Sequence, residues 1–296
     1  MWPEDRPVPR ERLLAEACAC DGLIVLLSDR VDEAVLGAGR GRLRVVANYA
    51  VGHENVDVEA ARRLGIAVCN TPDVLTEATA DLAFALMLAA ARRIPESERL
   101  VRAGRWAGGF SPALLLGVPI AGRVLGVVGA GRIGRAVLAR GRGFGMDLRY
   151  ASRRPLAPED AAAAGARFRP LDDLLAESDF VSLHVPLTPA TRHLVSRERL
   201  ARMKPTAVLV NTSRGPVVDE EALAEALAAG RLHAAGLDVF EREPAVHPRL
   251  LALENAVLTP HIGSATHAAR AEMARLCCEG VDAVLAGRRP ANLVGD

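Results

Sequence analysis

Several things are scarce in this chain. Lysine occurs once, at Lys204, among 37 basic residues, and aromatic side chains make up only 3% of the sequence. The missing lysine reads as GC-rich codon usage, since adaptation to heat enriches Lys as well as Arg. There are five cysteines, Cys18, Cys20, Cys69, Cys277 and Cys278. No pair has zinc-finger spacing, and an odd number of thiols argues against a disulfide framework, so a reduced, cytoplasmic setting is expected and no metal site. No apolar run approaches the roughly 18 residues of a membrane span. The opening stretch, MWPEDRPVPRERLL, lacks the apolar core of a signal peptide. A net charge of +1 gives no field that would gather nucleic acid.

What is present is apolar and regularly spaced. Half of the 296 residues are hydrophobic, enough for two domains with cores of their own. Strand-like runs are Leu23–Leu27, Leu43–Ala47, Ile66–Cys69, Val124–Val128, Leu148–Ala151, Phe180–His184, Ala207–Val210, Ala235–Val239 and Ala256–Leu258. Helical patterns alternate with them, among them Val58–Leu64, Ile133–Arg142, Glu220–Ala229 and Thr266–Ala286. Short apolar runs between helices predict parallel sheets covered on both faces. The fold class is therefore α/β, with two parallel-sheet assemblies of the Rossmann or flavodoxin type. The stretch from Thr76 is apolar nearly all round and should be buried on several sides, with Pro95 ending or kinking it. An amphipathic helix is expected at Glu96–Ala103, then an irregular loop to Gly122.

Three motifs carry chemistry. The run Val124–Val128 leads straight into GAGRIG, with Gly129, Gly131 and Gly134. Between a strand and a helix, that spacing is a dinucleotide fingerprint: a tight turn, close backbone approach to the pyrophosphate, and close helix–strand packing. A plain glycine-rich turn is the alternative. After the next strand, Ser152-Arg153-Arg154 stands where an acidic residue would bind a ribose 2′-hydroxyl; a hydroxyl and two guanidinium groups suit a 2′-phosphate instead. Solvated arginines are the blander reading.

The second motif is AVLVNTSRGPVVDEEAL, which puts Arg214 at the end of a buried strand, where ligands bind in open α/β sheets. Its fork matches a carboxylate or polarised carbonyl. The third joins GLDVFEREP, with Asp238 and Glu243, to LTPHIGSATH, with His261. A carboxylate holds an imidazole in one tautomer and readies it to give up a proton near neutral pH. The other histidines, His53, His184, His193, His233, His247 and His267, read as structural, with His184 near the cofactor by its strand-end position.

Over nearly its whole length the chain resembles the D-isomer-specific 2-hydroxyacid dehydrogenase family, through ANYAVGHENVD, NTPDVLTEATADLAFALML, GRVLGVVGAGRIGRAV, HVPLTPATRHLV, VNTSRGPVVDEEAL, GLDVFEREP and TPHIGSATH. Within it the chain looks most like glyoxylate/hydroxypyruvate reductases. The resemblance implies that Arg214 polarises the substrate, that His261 is the acid/base and that Glu243 is its partner. It places the substrate carboxylate at Val51 and Gly52, with Arg214 and Ser264 beside it. Asp238 would bind the nicotinamide amide. Gly129, Gly131, Arg132, Ile133, Gly134, Ser152, Arg153, Arg154, Pro155, Thr212, Ser213, Ile262 and Gly263 would line the cofactor. NADP(H) is expected to be preferred, with NAD(H) also accommodated, and the substrate to be a small 2-oxo or 2-hydroxy acid. A substrate domain formed by 1–74 and 264–296, a dinucleotide-binding domain at 75–263 and a homodimer follow from the same likeness.

There are departures. Phe110 and Leu114 stand where related reductases often carry tryptophans. The segment before DGLIVLLS is too short for the strand, helix and strand that relatives place there, so the substrate domain reads as N-terminally shortened and Leu23–Leu27 as a sheet edge, capped by 1–9, by an upstream segment or by another molecule. A 3-phosphoglycerate dehydrogenase, and a catalytically silent dinucleotide-sensing protein on the same fold, are the alternatives.

Overall fold

The computed structural model describes residues 2–4 and 6–295. The chain divides into two compact units, Met1–Leu75 with Ser264–Asp296, and Thr76–Gly263.

In the first unit β1 (Gly22–Val25), β2 (Val45–Asn48) and β3 (Ala67–Cys69) form a parallel sheet in the order β1-β2-β3. Aspartates start two of its helices. The Asp32 carboxylate accepts from the Ala34 and Val35 N–H groups, and Asp57 from Ala60, which is how a helix N-terminus recovers orphan donors. Gly65, with φ of 70°, ends the helix Val58–Leu64 in a conformation that glycine adopts without steric cost. The long helix His267–Leu285 packs along β2. Arg44 fastens its C-terminus by donating to the Val284 and Leu285 carbonyls at 2.8 and 3.0 Å, and the Tyr49 hydroxyl donates to the Arg270 carbonyl. β1 is an edge of this sheet; Ile24 and Leu26 are about half exposed, and the helix Arg10–Ala19 packs beside it. A cap made by the first nine residues involves Met1 and Asp5, which lie outside the described residues.

The second unit holds seven parallel strands: β4 (Val124–Val128), β5 (Asp147–Ala151), β6 (Arg167–Phe168), β7 (Phe180–Leu183), β8 (Val208–Asn211), β9 (Ala234–Leu237) and β10 (Ala256–Leu258). Their order is β10-β9-β8-β7-β4-β5-β6. The chain leaves β4 toward β5 on one side and returns at β7 on the other. Such a switch point opens a ligand crevice at the carboxyl ends of the strands. β7, β8 and β9 are buried throughout, which is why they read as unbroken apolar runs.

The helix Thr76–Ala91 buries Phe84, Leu86 and Met87, each contributing about 1.5–3 kcal/mol. It packs on β8, β9 and β10 and on the helix Arg132–Gly143. At Gly236 a Cβ would stand 2.8 Å from Leu86 Cβ, so glycine permits that approach. Pro95 does not end this helix as the sequence suggested. Arg93, at φ 52°, breaks the path first, and Pro95 sits in the first turn of the next helix, Ile94–Arg102, where its missing N–H costs nothing. β6 was not foreseen; it has only two residues, both exposed, and a single apolar one, Phe168, makes no run. No helix of the described residues is long and apolar enough to cross a membrane.

Candidate active site

The glycine-rich turn fits a dinucleotide. Gly129 has φ of 98°, and a Cβ there would meet the His184 carbonyl oxygen at 2.5 Å. A Cβ on Gly134 would lie 2.0 Å from the Gly129 carbonyl oxygen, so the helix can sit against the strand end only with glycine there. Gly131 is the N-cap of Arg132–Gly143, has no capping side chain, and faces open space where a Cβ would be. The first N–H groups of that helix, with Arg132 and Ile133 in its first turn, are thus presented to an anion. Beyond β5, Ser152 donates to the Arg154 carbonyl, and Arg153, Arg154 and Pro155 are exposed. Across the switch point, burial drives the His184 pKa down to about 3, so this ring is neutral and shares a hydrogen bond with Ser182 at 2.8 Å. Thr212 Oγ1, at the end of β8, is buried and has no partner among the described residues, an acceptor–donor left for a ligand. Ser213 beside it turns inward, its N–H and hydroxyl both on Asn211 Oδ1.

Arg214 follows in extended conformation and starts the short turn Gly215–Val217. Its Nη1 donates to the Ser213 carbonyl at 2.6 Å, while Asn211 Nδ2 holds the Arg214 carbonyl at 2.9 Å. At Gly215 a Cβ would fall 1.9 Å from the carbonyl carbon of Phe240. The main chain carrying Glu243 therefore lies directly on the main chain carrying Arg214, and only glycine allows it.

Asp238 closes the turn that bears His261. Its Oδ1 accepts from Thr259 Oγ1 at 2.7 Å and from the Ile262 N–H at 2.8 Å, and its Oδ2 from the Gly263 N–H at 2.8 Å. The His261 N–H donates to the Asp238 carbonyl at 2.9 Å, and His261 itself has φ of 52°. Burial raises the Asp238 pKa, against the pull of these donors and of His261. From the other side Glu243 meets the ring: its Oε2 lies 2.8 Å from His261 Nδ1, and its Oε1 accepts from the Phe240 N–H at 3.0 Å. Burial works to raise the Glu243 pKa, but His261, the Phe240 N–H and the charge of Arg214 outweigh it and leave it below the ordinary carboxylate value. An anionic carboxylate on Nδ1 leaves Nε2 to carry the mobile proton.

Val51 and Gly52 belong to the first unit, and there sequence reading missed their supports. Asn70 Nδ2 donates to the Val51 carbonyl at 2.8 Å, and Asn48 Nδ2 to the Gly52 carbonyl at 2.6 Å. Carbonyl and N–H point opposite ways across a trans peptide, so the two carboxamides aim the Gly52 and His53 N–H groups away from themselves. Asn48 and Asn55 also pair reciprocally at 3.1 Å, and Asn55 donates on to the Leu26 and Asp29 carbonyls. The Ser264 carbonyl accepts from the Thr266 N–H just before the long helix.

Comparison with known proteins decides the family. Residues 84–263 match the family described as D-isomer specific 2-hydroxyacid dehydrogenase, NAD binding domain. The chain belongs to that family. A glyoxylate reductase of Thermococcus kodakarensis is 51% identical to it, over 99% of this chain and 89% of the relative. A crystal structure of a protein from Thermus thermophilus superposes with a TM-score of 0.91 at 49% identity, covering 97% of this chain and 90% of that one. An NADPH-dependent glyoxylate/hydroxypyruvate reductase of Sinorhizobium meliloti, solved with NADP and malonate, gives 0.86 at 36% identity, covering 95% and 86%. This D-2-hydroxyacid dehydrogenase is accordingly an oxidoreductase using a nicotinamide dinucleotide, on the α/β scaffold its sequence suggested.

Proposed function

We propose that the protein reduces a small 2-oxo acid, glyoxylate or hydroxypyruvate, to the D-2-hydroxy acid, with His261 as proton donor. The observation that carries this reading is the Glu243–His261 hydrogen bond of 2.8 Å, in the same unit as Arg214 and as a glycine turn shaped for a dinucleotide. When bound, the nicotinamide supplies the hydride. Gly129, Gly131, Arg132, Ile133, Gly134, Ser152, Arg153, Arg154, Pro155, Thr212, Ser213, Asp238, Ile262 and Gly263 would hold it.

The chain's own residues do the rest. In the first unit the Val51–Gly52 loop and Ser264 are suited to a substrate carboxylate; in the second, Arg214 is suited to polarising a carbonyl, with a charge that never titrates. Glu243 fixes the imidazole by its Nδ1 and stabilises the protonated ring. His261 then delivers a proton from Nε2 to the carbonyl oxygen. The unit 76–263 acts as the cofactor domain, and 1–75 with 264–296 as the substrate domain. The exposed pair Arg153 and Arg154 supports a preference for NADP(H).

A homodimer belongs to the same reading. The helix Thr76–Ala91 offers little to it, since its apolar surface is consumed within its own unit. The helix Ile94–Arg102 has no buried residue, and Ile94, Val101, Trp106, Phe110 and Leu116 are more than half exposed in one stretch of chain. Apolar exposure of that extent is typical of a subunit interface. Decay of NADPH absorbance with glyoxylate tests the activity, and no decay beyond the uncatalysed rate would refute it; a monomer mass at micromolar concentration in light scattering would refute the dimer.

A further inference from the structure

We propose that His193 is a positioning residue for the proton donor: bonded to Glu241, it holds the turn from which Glu243 reaches His261. The inference rests on the reading of His261 and Glu243 given above.

His193 lies on the segment that follows β7, anchored by its N–H on the Pro216 carbonyl at 2.7 Å, with φ of 47°. Its Nε2 reaches Glu241 Oε1 at 2.5 Å, 48 residues along the chain. Glu241 interlocks with Glu220. Its N–H donates to Glu220 Oε2 at 2.8 Å, and the Glu220 N–H donates back to Glu241 Oε1 at 3.4 Å. Glu220 is 9% exposed, and its other oxygen takes the His247 N–H at 3.1 Å. Two carboxylates so placed repel each other unless a proton or cation stands between them. The His193 ring bonds the Glu241 member of this pair; the His247 ring is turned to Glu221 at 3.2 Å.

What the pair holds is the peptide between Phe240 and Glu241, the same peptide that is seated on Gly215. The N–H of Phe240, next to that peptide, anchors Glu243 Oε1. Loss of the His193 bond lets the peptide lift from Gly215, and Glu243 then loses the donor that aims its second oxygen at His261. Within this unit the charged groups set about His261 are Glu243, Asp238 and, through Glu243, Arg214. Of these Glu243 is the one bonded to the ring. A looser Glu243 stabilises the protonated ring less, and the protonated ring is the form that delivers the proton. Reduction needs that proton, and its alkaline limb must move down.

The test is steady-state NADPH oxidation with glyoxylate by the full-length protein, profiled against pH. In His193→Ala the alkaline limb of kcat/KM should fall by about one pH unit and kcat by about tenfold to a hundredfold, with KM for NADPH unchanged. His193→Gln, whose carboxamide can donate the same bond, should recover most of both. Glu241→Ala, which removes the acceptor, should displace the limb in the same direction from the other end of the bond, and decides the matter if His193→Ala fails to fold. An unmoved limb, or a glutamine variant no better than alanine, overturns the proposal, provided His261→Asn loses turnover in parallel. Full turnover by His261→Asn overturns it together with the reading beneath it.

Discussion

Both units end their parallel strands in buried or half-buried polar side chains, yet the two sets differ in kind. After β2 and β3 of the first unit stand carboxamides, Asn48 and Asn70, backed by Asn55. After β8, β9 and β10 of the second stand Arg214, Asp238, Glu243 and His261. An amide has two donors and one acceptor and no charge, so the asparagine network can be fully satisfied and behaves alike at every pH. It is suited to fixing a peptide. Polarising a carbonyl and giving up a proton require charge that responds to its surroundings, and the second unit keeps such charge close-packed against glycine.

That contrast breaks most severely at His261. His261→Asn should lower kcat by about 10²–10⁴, and Arg214→Ala should reduce kcat and raise KM together, with thermal melts near wild type; turnover above half of wild type in either would remove these residues from the chemistry. Next comes Gly215→Ala. Its Cβ would meet main chain at 1.9 Å, beyond what a flexible side chain can absorb. Both Tm and activity should drop, by at least the roughly 1–3 kcal/mol of core overpacking; an unchanged melt would show that the two segments can part freely. At the cofactor, Ser152→Asp with Arg153→Ala should reverse the proposed preference for NADPH through loss of a charge-assisted bond of about 1.5–3 kcal/mol, read as the ratio of kcat/KM for NADPH and NADH. On the neutral side, Asn48→Ala should raise KM for the 2-oxo acid by about fivefold to a hundredfold, the cost of a lost buried bond of about 1–3 kcal/mol. The rise should be equal on both sides of neutrality; a pH-dependent rise would blur the distinction between the units.

At neutral pH the smallest effect concerns His184, which tells only in acid. Its folded pKa of about 3 lies below the ordinary 6.5, so the unfolded chain binds a proton that the folded one refuses. Its contribution to stability is complete above about 6.5 and declines as pH falls from there toward about 3. His184→Gln should lessen the acid sensitivity of Tm over that window by up to one proton, about 1.4 kcal/mol per pH unit at most. Identical slopes would place the ring's proton elsewhere.

The sequence made the scaffold readable because parallel strands buried on both faces leave apolar runs. Phe180–Leu183 and Val208–Asn211 stand out between helices for that reason. Arg167–Phe168 does not, being an exposed edge. Strand ends shifted by a residue or two where a polar side chain turned inward, as at β9, which stops at Leu237 because Asp238 is already part of the turn before His261. Arg214 and His261 were conspicuous as polar residues set between apolar strands and glycine or proline. Glu220, Glu241 and His193 were not, since a charged residue in a chain that is 25% charged looks like solvated surface until the fold brings it beside another. The asparagines gave a faint signal: three of them close to strand ends, in a type that competes with regular backbone bonding.

His261 stands at φ of 52°, a backbone setting that costs an L-residue about 1–2 kcal/mol and glycine almost nothing. Judged by folding alone, this position would be better filled by glycine, and random drift would tend to place one there. On the role proposed for His261, the imidazole is kept against the thermodynamic preference of its own backbone, a local case of activity and robustness pulling in opposite directions. A lineage that no longer needed the reaction should relax first at this residue, becoming more stable as it became inert.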